Sequence, residues 1–293
     1  MREMRETLRA TFSRFLKLEN RRRVVRNGTL EHIAAFKSAI LGNERRITIY
    51  LPPGYADRGS GVSPDASGVP PLARYPVLYM QDGQNLFEPE RAFIPGMHWC
   101  LREAADEAIG ARTAEPAIIV GIDNTGPQRV DEYTPTRDLE KKVGGRADDY
   151  ARMLFEELKP LIDARYRTLA DRTLLGGSSL GALLTMYLGL EHADVFESLA
   201  VMSPSVWWDS RRILDIVNDF AGPRRPRIWL DIGGREGKAA LDDVRTLRDR
   251  LIAKGWRNGE TLRYFEDRRA DHSERAWAKR ARPMLEFLLA PAP

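Results

Sequence analysis

Cysteine is almost absent from this chain: Cys100 is the only one in 293 residues. A single cysteine excludes an intrachain disulfide framework, so nothing calls for an oxidising compartment and a cytoplasmic location is expected. Long apolar runs are missing too. None approaches the ~20 residues that span a bilayer, and the N-terminus lacks the apolar core of a secretory signal. Neither HExxH nor CxxC spacing occurs, so no metal is implied. There is no P-loop and no dinucleotide-binding glycine fingerprint, so no cofactor is expected. Histidine is also scarce, with four in the whole chain.

What is present is a globular composition, 43% hydrophobic and 30% charged, at a length that suits one large α/β domain or two small ones. The charge is unevenly placed. Residues 1–26 hold nine Arg or Lys against three Glu; with the chain at +4, the remainder carries a net −2. Met4, Leu8, Phe12, Phe15 and Leu16 recur there at helical spacing, which predicts a basic amphipathic helix. Residues 1–29 are read as this N-terminal segment and 30–293 as the main domain. Burial of the stripe against the domain or a second subunit is preferred to docking on an anionic membrane surface. A homo-oligomer built through this segment follows as an expectation, and nucleic acid is not expected as a partner.

Along the main domain, short apolar runs alternate with helical patterns. RRITIYLPPGY (45–55), YPVLYMQDGQN (75–85), PAIIVGIDN (116–124), ESLAVMSPS (197–205), RIWLDIGG (227–234) and LRYFEDRRADH (262–272) carry the strand signals. Residues 57–71 form a Gly/Ser/Pro loop. Helical periodicity runs over 148–166, from Leu180 to about Leu190, over 239–254 and from Glu274 to Leu289. Several strands end in Gly or Asp clusters. The fold class this predicts is α/β, a mostly parallel sheet covered by helices on both faces, with ligands beyond the carboxyl ends of the strands.

One such end carries chemistry. Gly177-Ser178-Ser179-Leu180-Gly181 matches G-x-S-x-G, preceded by a strand signal at Arg172–Leu175 and followed by an apolar helix. In a nucleophile elbow the serine occupies a tight, strained turn. Glycines two before and two after it avoid collision with neighbouring backbone, and the helix N-terminus aims the Leu180 N–H at a developing oxyanion. A serine nucleophile needs a base. His32 falls in an early strand, His98 in a loop near DGQN, and His192 caps the helix after the elbow. Only His272 lies far downstream, as the order Ser…Asp/Glu…His requires. The turn after the preceding strand offers two carboxylates. Glu236, in the turn, is preferred, with Asp231, inside the strand, in reserve.

The chain resembles the putative-esterase family of α/β-hydrolases, which includes enterochelin-esterase-like and feruloyl-esterase-like enzymes, esterase D and the mycolyltransferases. The resemblance rests on RRITIYLPPGY, YPVLYMQDGQNLF, RVDEYTP, ELKPLIDARYRT, GGSSLGALLTMYLGLEHADVF, SPSVWW, LDIGGREG and DHSERAWAKR, spread over about residues 35–289. It implies an α/β-hydrolase fold and a serine esterase with nucleophile Ser179, acid Glu236 and base His272. It also implies a second oxyanion donor at Gly83 or Gln84. Small-molecule or glycan esters, including feruloyl esters and siderophore lactones, are the expected substrates. Acyl transfer on the same triad and a non-catalytic binding role are the competing readings. Asp82, Arg129, Trp207 and Trp208 are candidate substrate contacts. Each has a plainer alternative: a turn carboxylate for Asp82, an ion pair between Arg129 and Glu132, and core packing for the tryptophans.

Overall fold

Among the described residues ten strands occur: β1 (Thr29–Ser38), β2 (Asn43–Leu51), β3 (Tyr75–Gln81), β4 (Ile118–Ile122), β5 (Arg137–Asp138), β6 (Val143–Gly144), β7 (Thr168–Ser178), β8 (Phe196–Met202), β9 (Arg227–Gly233) and β10 (Leu262–Asp267). The computed structural model describes residues 27–56 and 73–291. The basic helix expected over residues 1–26 and the loop at 57–71 lie outside the described residues.

Eight strands make one sheet in the order β1-β2-β4-β3-β7-β8-β9-β10. β2 pairs antiparallel with both β1 and β4, and the other neighbours pair parallel. Successive side chains enter opposite faces, as strand geometry dictates. In β3, Val77 and Tyr79 join one apolar cluster, Leu78 and Met80 the other; in β9, Ile228 and Leu230 join the first and Trp229 the second. Strands buried on both faces explain the near-continuous apolar runs in the sequence.

Helices cover both faces. On one lie α1 (Leu101–Gly110) and, from the chain's end, Glu274–Leu288; on the other lie Ala147–Arg165, Leu180–Glu191, Trp208–Asp219 and Lys238–Ala253. In chain order these become α2 for the single turn Arg129–Glu132, α3 (Ala147–Arg152), α4 (Lys159–Arg165), α5 (Leu180–Glu191), α6 (Trp208–Asp219), α7 (Lys238–Ala253) and α8 (Glu274–Leu288). The helix expected over 148–166 is not uniform. Met153–Leu158 widens into a π-helical turn just before Pro160, which opens α4 and has no amide hydrogen to donate. The turns after β3, β7, β8, β9 and β10 all leave the carboxyl edge of the parallel strands, where a ligand site is placed in sheets of this kind.

Candidate active site

The chain leaves β7 at Ser178 and enters α5 at Leu180, with Ser179 alone at the corner. Ser179 has φ 57° and ψ −121°, a conformation that strains any residue with a Cβ and persists only where surrounding structure enforces it. The enforcement is visible: its amide donates to Met202 O at 3.0 Å, and its carbonyl accepts from Ser205 N at 3.1 Å. Gly177 is obligatory, because a Cβ there would lie 2.6 Å from Gln81 Oε1 and 2.8 Å from Gly181 C. Gly181 is less constrained than the motif predicts. Its nearest neighbour would be the Gln81 Cβ, at 3.2 Å.

Two further turns meet Ser179. His272 lies between β10 and α8, and its Nε2 is 3.0 Å from Ser179 Oγ. Its Nδ1 is 2.7 Å from Glu236 Oε2. Glu236 stands in the turn after β9. A Cβ on Gly233 would meet Ala270 O at 2.6 Å, and one on Gly234 would meet Arg268 Cα at 2.7 Å. The two glycines therefore let the His272 loop lie directly on the Glu236 turn. The Glu236 side chain is 4% exposed and that of His272 is 45% exposed, so the carboxylate is shielded while the imidazole faces the cavity. Burial works to raise the Glu236 carboxyl. Hydrogen bonds with His272 and Ser203, the His272 charge and the Gly233 amide outweigh it and hold the group below its ordinary value.

Asp231, the reserve acid, is placed elsewhere. It is fully buried and ion-paired with Arg280 at 3.2 Å, accepts from Trp229 Nε1 at 2.7 Å, and makes no hydrogen bond to His272. Burial raises its carboxyl, against the opposing pull of Arg280. The link between this ion pair and Glu236 is Ser203, which no sequence motif singles out. Its Oγ donates to Glu236 Oε1 at 2.6 Å and accepts from Trp277 Nε1 at 3.1 Å and Arg280 Nη2 at 3.0 Å. Ser205 was missed as well; its Oγ lies 3.3 Å from Ser179 Oγ. The available signal was position. SPS follows a strand whose carboxyl end adjoins the elbow strand.

A cavity of about 530 Å³ opens over Ser179 and His272, lined in part by Gln84, Phe93, Asp123, Arg129 and Trp277. Gln84 lines it; Gly83 is wedged against the Gly121–Ile122 backbone. The Leu180 amide opens the first turn of α5, where no intrahelical acceptor is available. Asp82 and Arg129 both line the cavity, joined by two hydrogen bonds of 2.7 and 2.8 Å. The expected Arg129–Glu132 pair does not form: Glu132 is buried against Arg45 at 2.9 Å. The tryptophans are corrected too. Trp208 is a core residue, 3% exposed, with its indole donating to Thr136 O at 3.0 Å. Trp207 is 54% exposed and does not line the cavity. Of the remaining histidines, His32 lies in β1 and His192 follows the last turn of α5.

Comparison with known proteins places this architecture. The family model described as "Putative esterase" matches residues 38–288. The chain is 25% identical to the uncharacterized protein YbbA of Bacillus subtilis over 258 residues, covering 83% of this chain and 92% of that one. It is 31% identical to the ferri-bacillibactin esterase BesA of Bacillus subtilis over 158 residues, 52% of this chain and 55% of BesA. The crystal structure of an IroE-like serine hydrolase from Shewanella oneidensis superposes with a TM-score of 0.68 at 20% identity, covering 89% of this chain and 80% of that one. The chain thus belongs to the "Putative esterase" family, with an α/β-hydrolase fold, and is a hydrolase acting on ester bonds.

Proposed function

We propose that the protein is a serine carboxylesterase working through Ser179, His272 and Glu236 and a covalent acyl-enzyme. One observation carries this reading: the unbroken chain Ser179 Oγ, His272 Nε2, His272 Nδ1, Glu236 Oε2, with links of 3.0 and 2.7 Å. Such a chain is the arrangement that activates a serine hydroxyl. Glu236 holds the proton on Nδ1, so Nε2 is the free base. His272 takes the Ser179 proton as Oγ attacks the ester carbonyl carbon. The tetrahedral oxyanion is held by the Leu180 amide and a second amide at Gly83 or Gln84; Gln84 is favoured because it lines the cavity. His272 then passes its proton to the leaving alkoxide as the C–O bond breaks. Water, deprotonated by the same nitrogen, attacks the acyl carbon and releases Ser179.

Small-molecule esters are the substrate class we infer. The cavity is of the size that encloses a drug-sized ligand. Its wall joins Phe93 and Trp277 to charge-paired Arg129 and Asp82, which suits an aromatic acyl group carrying polar substituents. Siderophore-type lactones and feruloyl-type esters, the substrates that the family resemblance implies, both have that character, and BesA is by name an esterase of ferri-bacillibactin. A panel of esters varied in acyl length and aromaticity tests the reading, run beside Ser179→Ala. Hydrolysis favouring aromatic acyl groups and lost in the variant is expected. Wild-type turnover in the variant overturns it.

A further inference from the structure

Outside the triad, one group of metal-ligating side chains converges among the described residues: His98, Cys100 and Glu103, whose ligand atoms all lie within 4.8 Å of one another. The local chain explains it. His98 and Cys100 flank Trp99, which turns into the core and is 2% exposed, while both neighbours stay half-buried. Cys100 has φ 50° and ψ 39°, which bends the chain into α1 and brings Glu103 of its first turn back over them.

Two further observations, one on His98 and one on Glu103, support a cation here. His98 Nδ1 is shielded from solvent and has no hydrogen-bond partner among the described residues, an arrangement that native proteins rarely leave unfilled. A thiol and a carboxylate crowded together are stabilised as anions by a cation between them. Glu103 keeps a free oxygen for it, since Arg102 Nη2 takes only Oε1, at 3.1 Å.

We propose that His98, Cys100 and Glu103 form a binding site for one Zn²⁺-like divalent cation, with a fourth position open to water. Imidazole, thiolate and carboxylate together select Zn²⁺ or Co²⁺ over Mg²⁺ and Ca²⁺. Binding releases the Cys100 proton to solvent as the S–metal bond forms. The HxCxxE spacing is not one of the standard metal patterns, which is why the sequence implied no metal.

The site adjoins the active site without entering it. Trp99 N donates to Asn85 O at 2.8 Å and Leu101 N to Leu86 O at 3.0 Å, pinning the segment to the turn that holds Gly83 and Gln84. The Trp99 ring packs on Trp277 at 5.8 Å, and Trp277 stands edge-on to His272 at 4.9 Å. A bound ion would stiffen this wall of the cavity, a positioning role.

Full-length protein stripped with a chelator and titrated with Co²⁺ tests the site independently of esterase activity. Cys100 is the only cysteine, so a thiolate-to-Co(II) charge-transfer band reports on this site alone. One Co²⁺ per chain is expected, with a band that Zn²⁺ abolishes and excess Mg²⁺ leaves intact. Cys100→Ser should remove the band. The exposed change Glu103→Gln, which leaves the core untouched, should weaken binding by at least the roughly tenfold that losing a supporting group costs. Absence of the band, half an ion per chain, or unchanged affinity in Glu103→Gln would overturn the proposal.

Discussion

Ser203 donates a 2.6 Å hydrogen bond to Oε1 of Glu236, the carboxylate oxygen that His272 does not use. The acid is thus held from two sides, by the imidazole it orients and by a serine anchored to Trp277 and to the Arg280–Asp231 ion pair. Its own turn adds a third contact, the Gly233 amide donating to the same Oε1 at 2.7 Å.

Ser203→Ala should therefore lower kcat by roughly 10–100-fold, the usual range for a supporting partner, with KM little changed. It should also reduce the pH dependence of stability. The depressed Glu236 carboxyl contributes stability that is fully present above its unfolded value of about 4.3 and lost as pH falls through the lower folded value. Removing a donor to the anion raises the folded value. The stability gap between wild type and Ser203→Ala, measured by urea unfolding, should shrink as pH falls below about 4.3.

Glu236→Gln and Asp231→Asn separate the two carboxylates by different readouts. Glu236→Gln disturbs the His272 tautomer, so kcat should fall by up to about 10⁴-fold, and the stability lost is only the modest part that the depressed carboxyl contributes near neutral pH. Asp231→Asn leaves the buried Arg280 guanidinium uncompensated and should cost about 3–5 kcal/mol of stability. A crippled but fully stable Asp231→Asn, beside an active Glu236→Gln, would reverse the assignment.

Asp123 lines the cavity, ion-paired with Arg91. Burial pushes its carboxyl up to about 6, against the pull of Arg91 and Arg46. Below that value the carboxyl is neutral and Arg91 keeps only Glu88, at 3.7 Å, as a carboxylate partner, so the cavity becomes more positive. For matched anionic and neutral esters, the KM of the anionic one should fall relative to the neutral one by roughly fivefold as pH drops through this value, about 1 kcal/mol. Asp123→Asn should hold the ratio at its acid-side level throughout. A ratio that does not move with pH in wild type would contradict this account of the pair.

Sheet order aside, most of the fold is legible in the sequence, because strands buried on both faces read as apolar runs and the helices between them keep their period. The three residues that converge are legible for a related reason. Each follows a strand at a turn, and two of the turns are marked by glycines whose Cβ atoms would strike neighbouring backbone, at Gly177 and Gly233. Ser203 and Ser205 carry no such mark. A serine past a strand end is an ordinary turn residue until β8 is laid beside β7. Trp207 and Trp208 show the converse: neighbours on one turn, one outward and one in the core, which an aromatic pair in sequence does not distinguish. Asp231 looked available because its partner Arg280 comes from the last helix, a contact that exists only in three dimensions.

The central claim is that Ser179, among four serines at these strand ends, is the nucleophile. Labelling full-length protein with a fluorophosphonate, followed by peptide mass mapping, tests it most directly. One adduct per chain on Ser179 is predicted, absent in Ser179→Ala, whose kcat should fall by roughly 10⁴–10⁶ with the fold intact. An adduct on Ser178, Ser203 or Ser205, or unchanged turnover in Ser179→Ala, would contradict it.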